Sequence, residues 1–417
     1  MSNYNQLERI FATHLSKFPK VKSLIKNLYQ KINAFIFRKK HQYKSFFDIE
    51  KVAHSKEEDF FGYYDKSPEN KSGTHCIFQA SDIETTNLPS KDKSIKIYIK
   101  DIANDKFIFC DKSQAYNWQQ GTKLQWIDDD KFIFNSFCNT KKIYISKIFN
   151  KNGKIIKIID MPIYDTFKDQ FALTLNFITL NTLRPDYGYR CIPTMSDNKN
   201  KDGVFKIDLA TGASKKIILL DKLKSHKTKT TMKNAKHKIN HIMISPDGNN
   251  FIFLHRWINQ NGQRFDRLYC SDSNGENLRI LADDELISHF CWLDDHNIIS
   301  YMRDISFGDT FYKINIFSME ISLLSTKLKG FSDGHPSVKF NHMVFDTYPD
   351  RSRMKKLFLF SLKDESLQEI GEFYESTEYR DQTRCDLHPK WSENGHRIYI
   401  DSVHENKRKL YSIKIKQ

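Results

Sequence analysis

A histidine stands at the entry of four successive repeat units: His241, His289, His335 and His388. Imidazole exchanges a proton near neutral pH and, when neutral, binds metals through a ring nitrogen. Any one of these histidines reads by itself as a packed, hydrogen-bonded core residue. Four at equivalent positions of a radial repeat point to one place, where they make poor packing and good chemistry. Asp386 and His388 alternate by two, so on a strand they share a face. With His335 they form a candidate three-ligand set with open positions for a divalent metal, Mn, Zn or Ca. Zinc would lie about 2.0–2.2 Å from such donors.

These positions need a repeating scaffold. Ser245-Pro246-Asp247-Gly248 lies between Ile239–Ile244 and Phe251–Leu254; a further strand-like run ends near Tyr269, and Ser273-Asn274-Gly275 turns into Leu278–Leu281. That order is strand, turn, strand, loop, strand, turn, strand. The pattern returns at Cys291–Tyr301, at Val338–Asp346 and at Pro389–Asp401. A spacing of roughly 45–50 residues is that of propeller blades. Three earlier units start near Phe60, Asn117 and Ala172, so the expected fold is all-β, a seven-bladed propeller over residues 55–417. The Lys/Thr-rich segment 222–238 reads as a mobile loop before the fourth blade. Trp118, Gln119, Tyr63 and Tyr64 sit at blade starts, where they line sugar subsites or fill the core.

The 417 residues carry 66 Lys or Arg against 51 Asp or Glu. Residues 1–46 hold ten of the basic residues and a single Glu, so the charge is concentrated at one end. After Pro19, Val21, Leu24, Ile25, Leu28, Ile32, Phe35 and Ile36 follow helical spacing with lysines among them. Residues 1–50 are therefore read as a basic amphipathic arm. Such a helix suits an anionic membrane surface; the same stripe can instead pack on the propeller. No aromatic interleaving points to nucleic acid. The seven cysteines show no metal-knuckle or disulfide spacing, and no secretory leader is evident. A cytoplasmic monomer, peripheral on the inner membrane face, is expected.

The Ser-Pro-Asp-Gly repeats are similar to those of TolB-type propellers. The set formed by His241, Ser288-His289-Phe290-Cys291-Trp292, Asp333-Gly334-His335-Pro336 and His388-Pro389 resembles the propeller polysaccharide lyases, of the oligogalacturonate lyase and ulvan lyase type. The resemblance covers about residues 55–415. It implies β-elimination on a uronic-acid glycan, with His289 as base, Arg267 as carboxylate clamp and His241 beside them. It implies a metal held by His335 and His388. Asp386 stands where the family has a second histidine and Thr383 where it has a glutamine; Cys385 is a substitute ligand and Arg384 a substrate contact. Tyr187 or Tyr189 would return a proton to the leaving oxygen. Capsule or lipopolysaccharide metabolism is the expected setting. The alternatives are a non-catalytic glycan-binding or assembly protein and a propeller associated with a glycosyltransferase.

Overall fold

In the computed structural model, which describes residues 19–194 and 202–415, seven antiparallel sheets stand around one axis. In chain order the sheets run through residues 58–113, 125–159, 165–219, 236–282, 287–323, 337–374 and 390–414, and are called blades one to seven below. Each blade has four strands, and blade six has a fifth. The fold is the expected propeller. The boundary with the arm moves: Ile49–Lys51 is the outer strand of blade seven, pairing with the strand Lys409–Lys414, and Tyr43–Ser45 is the added strand of blade six. Residues 43–45 and 49–51 therefore belong to the propeller sheets, the second pair of strands joining the start of the chain to its last blade.

The turn Ser245–Gly248 shows how the local chemistry works. The Ser245 carbonyl accepts from the Gly248 N–H at 2.9 Å, and the Asp247 carboxylate accepts from the Ser245 hydroxyl and from the Asn249 N–H. Gly248 has φ +80°, and a Cβ there would meet the Phe167 ring of the preceding blade at 2.5 Å. Successive side chains point to opposite faces of a strand and fill the spaces on both sides of a blade, as the buried Phe251, Ile252, Phe253 and Leu254 do.

Buried polar side chains bind blade to blade. Gln79 accepts from the Thr122 N–H, Asn135 from Ile163, Asp165 from Ile244, Asp266 from Ile287, Asp346 from His388, and Asp401 from both Phe61 and Gly62. The carboxylate cases, worth about 1.5–3 kcal/mol each, fix the starts of the inner strands, where the histidines lie.

Three helices occur among the described residues: α1, Pro19–Ile36; α2, Phe177–Leu183, capped by the Asn176 side chain; and α3, Leu220–Ser225. None is long and apolar enough to cross a membrane. The segment expected to be a mobile loop is held down. It contains the end of α3, a short 3-10 turn at Thr230–Met232 and the start of the strand Lys236–Ile244, and the His226 and Lys227 carbonyls accept from the buried Arg267 guanidinium.

Candidate active site and metal centre

His241 and His289 lie inside the first strands of blades four and five, and His335 and His388 just before those of blades six and seven. Local backbone departures aim them. Pairing shifts register between Asn240 and Met243 and between Ile287 and Phe290, so His241 and His289 sit in bulges. His241 and His388 have φ of +52° and +45°, a region that non-glycine residues rarely enter and that marks sites where the surroundings enforce strain. Gly334 lets the chain before His335 approach its hairpin partner; a Cβ there would meet the Asp346 carbonyl oxygen at 2.0 Å.

The four imidazoles converge. Ring centroids are 4.0 Å apart for His289 and His335, 4.3 Å for His335 and His388, and 5.7 Å for His241 and His289. Blade one closes the group from the other side. Tyr63 lies 5.1 Å from His388 and its hydroxyl is 2.7 Å from His241 Nδ1; Tyr64 lies 5.3 Å from His335. All four histidines are buried.

Each ring is held differently, and its basicity follows. His289 Nδ1 is 2.8 Å from Asp333, which also accepts from the Ser288 hydroxyl. A ring whose Nδ1–H faces a carboxylate presents Nε2 as its basic nitrogen. Burial lowers the His289 pKa, with Asp333 opposing. His335 Nδ1 faces Asp346 at 2.9 and 3.1 Å. Burial pulls that ring down, but Asp346, then Asp386 and Asp333, outweigh it and raise it. His241 and His388 are pushed well below the ordinary value, first by burial and then by neighbouring cations and imidazoles.

His335, Asp386 and His388 each offer a donor atom within 4.8 Å of the others. The Nε2 atoms of His335 and His388 are buried without a hydrogen-bond partner. A buried nitrogen lone pair without a donor is costly unless something occupies it. Burial opposes ionisation of Asp386, yet Arg384 at 2.7 Å and then His335 hold its pKa down at about 2. Two imidazole nitrogens and one carboxylate are a sound donor set for Mn or Zn, which would bind each ring in its neutral form. Among the sequence-derived metal residues, then, all three come together; Cys385 is buried against Tyr379 and Val403 and lies outside the donor group, as does Thr383.

Other expected site residues fall elsewhere. Arg267 does not face the histidines. Its guanidinium is spent on Asp283 at 2.8 Å, the Tyr269 hydroxyl and the two loop carbonyls, because it projects from the third strand of blade four beneath that loop. Trp118 is a core residue, packed on Phe60 and Tyr116 with its Nε1–H donating to the Asn87 carbonyl. Gln119 is buried and donates to the Arg384 carbonyl. Tyr189 stacks on Phe177 at 4.5 Å and accepts from Asn135, away from the imidazoles. Tyr187 does reach the site, 5.4 Å from His241 and 5.9 Å from Tyr63. Arg384 reaches it too, bridging Asp386 and Asp186.

The cations beside the histidines come from positions that the repeat pattern does not single out. Arg256 pairs with Asp266 at 2.8 Å, Arg264 shares that carboxylate at 3.3 Å, and Arg184 pairs with Asp186 at 3.0 Å. Arg256 and Arg184 are among the charges that depress His241. The Lys238 ammonium, whose own hydrogen bond goes to the Leu183 carbonyl, is pushed down to about 7, by burial first and then by Arg256 and Arg184. A row of Arg–Asp ion pairs thus stands next to the imidazoles, with Arg184 and Arg264 partly exposed at its edge. Asp333 and Asp346 were equally invisible as partners: one reaches across to the neighbouring blade and the other across a hairpin.

No protein-family model matches the sequence, and no curated protein sequence matches it. Solved structures do. Oligogalacturonate lyase from Vibrio parahaemolyticus superposes with a TM-score of 0.62 at 14% identity, over 90% of this chain and 97% of that one. An oligogalacturonate lyase in complex with manganese gives 0.61 at 14%, over 90% and 95%. TolB from Acinetobacter baumannii is more distant, 0.38 at 12%, over 83% and 81%, and adds no weight. The resemblance to the propeller of oligogalacturonate lyase therefore holds across nearly the whole of both chains, as a likeness of fold.

Proposed function

We propose that this protein is a lyase that cleaves an acidic glycan by β-elimination beside a uronate carboxylate. The observation that carries the reading is the convergence of four buried imidazoles, two with unpartnered Nε2 atoms beside Asp386. The manganese complex of a lyase with the same fold supports a cation at His335, Asp386 and His388. When bound, such a cation would neutralise the carboxylate next to the acidic C5–H.

The protein's own groups supply the rest. His289, neutral and oriented by Asp333, takes the C5 proton on Nε2. Electrons left at C5 form the C4–C5 double bond as the C4–O bond breaks. Tyr63, whose hydroxyl bonds His241, would return a proton to the leaving oxygen in place of Tyr189, which lies away from the imidazoles; Tyr187 stands next to Tyr63 and is the other candidate. Arg184 and Arg264, partly exposed although each is paired with an aspartate, are the guanidiniums offered to the carboxylates of the chain being cut, the task first expected of Arg267. The substrate is a uronate-bearing oligosaccharide or polysaccharide of capsule or lipopolysaccharide metabolism. Seven free cysteines suit a reducing, cytoplasmic setting.

The test mixes the protein, with Mn²⁺ added, with a panel of acidic oligosaccharides and follows the ultraviolet absorbance of the unsaturated uronate product. Absorbance should rise with at least one substrate and not with the His289→Ala variant. Glycan binding without any rise would instead favour the binding-protein reading.

A further inference from the structure

The face of the propeller that carries the histidines also carries α1. In an antiparallel blade, the start of the first strand, the end of the second, the start of the third and the end of the fourth share one face. In blade six these points are His335, Asp346, Met354 and Tyr374, and Met354 pairs with Tyr374. The arm is fixed to that same end. Tyr43 pairs with Phe373, His41 meets Glu372 at 2.6 Å with Lys39 on the same carboxylate, and the Arg351 guanidinium lies 5.8 Å from the Phe37 ring. Arg351 belongs to the loop that brings the Tyr348 ring to 6.2 Å from His335.

From this anchor α1 presents an uncovered apolar stripe. Leu28 is 61% exposed, Phe35 84% and Ile36 65%, with Ile25 and Ile32 about half exposed at 47% and 49%. Their spacing places all five on one side of the helix. The stripe therefore does not pack on the propeller, the alternative that the sequence left open. Next to it, Phe37, Tyr43 and Phe46 are also exposed. The 28 residues from Pro19 to Phe46 hold eight Lys or Arg and no Asp or Glu.

We infer that α1 and the segment after it form a docking surface for an anionic lipid bilayer, with the histidine-bearing face turned toward the membrane. An apolar stripe among lysines matches a bilayer interface, where side chains enter the acyl boundary and the ammonium groups meet acidic headgroups. A second copy fits worse: it would set eight cations against eight, in a chain whose net charge is already +15. The inference does not depend on the lyase reading, since no glycan enters it.

The experiment is sedimentation of the full chain with vesicles of phosphatidylcholine alone and of phosphatidylcholine with phosphatidylserine. Binding is expected on the serine-containing vesicles at low salt. It should drop about ten-fold or more without the anionic lipid, and again in high salt, where the screening length shrinks from about 10 Å at 0.1 M to about 3 Å at 1 M. A Leu28→Ser/Ile32→Ser/Phe35→Ser variant, altered only at exposed positions, should melt like the parent and bind about ten-fold less. A Lys31→Glu/Lys40→Glu variant should lose the preference for anionic lipid. Equal sedimentation of the parent and the triple-serine variant would overturn the proposal. So would a concentration-dependent dimer, seen by sedimentation velocity, that the triple-serine variant abolishes.

Discussion

Two groups of buried histidines sit less than one blade apart in sequence, and they are built differently. In the central group the rings of His289, His335 and His241 are held on one side by Asp333, Asp346 and Tyr63, and the rings of different blades converge. In blade four, His237 Nδ1 meets His255 Nε2 at 2.9 Å, His237 stacks on Trp257 while His255 is tilted against it, and His237 faces the Met232 carbonyl. Burial lowers the basicity of both members of that pair. Burial therefore does not separate a site from a packed core. The separating features are the carboxylates that orient the rings and the carboxylate that stands with two unpartnered nitrogens in one donor group, since His255 Nδ1 is also unpartnered but has no such company.

The comparison is broken or sharpened by substitution. The largest effect is expected at the shared centre. His335→Ala should lower elimination by about 10²–10³-fold, the scale of one lost electrostatic contact to a reacting anion, with Mn²⁺ affinity falling in the same titration. Unchanged turnover and unchanged Mn²⁺ affinity would sink the metal assignment.

A third kind of buried histidine gives the next effect. His404 is wedged among Tyr43, Phe373 and Tyr411, and burial first of all lowers its pKa to about 4. Between pH 6.5 and about 4 the unfolded chain binds a proton there that the folded chain does not. Stability from this group is thus full above pH 6.5 and falls with pH through that window, by up to about 3 kcal/mol at its acid end. Urea unfolding of the parent and His404→Gln across this window should show a shallower acid slope in the variant; parallel slopes would contradict the assignment.

Asp333→Asn keeps the shape of the contact and removes the charge that orients His289. Elimination should fall about 10–100-fold with little change in Tm. His255→Ala in blade four should do the reverse. The cost is about 1–3 kcal/mol in denaturant unfolding for an orphaned ring nitrogen on His237, while turnover per folded molecule stays at the parent level. A loss of turnover in His255→Ala without a loss of stability would erase the distinction between the two groups.

The sequence by itself determined the blade repeat, because strand alternation and turn chemistry such as Ser245–Gly248 are local. It also determined that histidines recur at one position of that repeat, and so that His241, His289, His335 and His388 meet. What it could not determine is who stands beside them. Asp333 reaches His289 in the preceding blade, Tyr63 reaches His241 across the axis, and Asp346 serves both His335 and the His388 backbone. These contacts exist only once the ring has closed, with Ile49–Lys51 completing blade seven. Arg267 and Arg256 illustrate the limit: both lie on strands of blade four, one held under a loop and one beside the imidazoles. Which of them meets the site depends on how far along its strand each residue sits from the histidine-bearing face and on which side of the sheet it projects, and only the packed structure decides both.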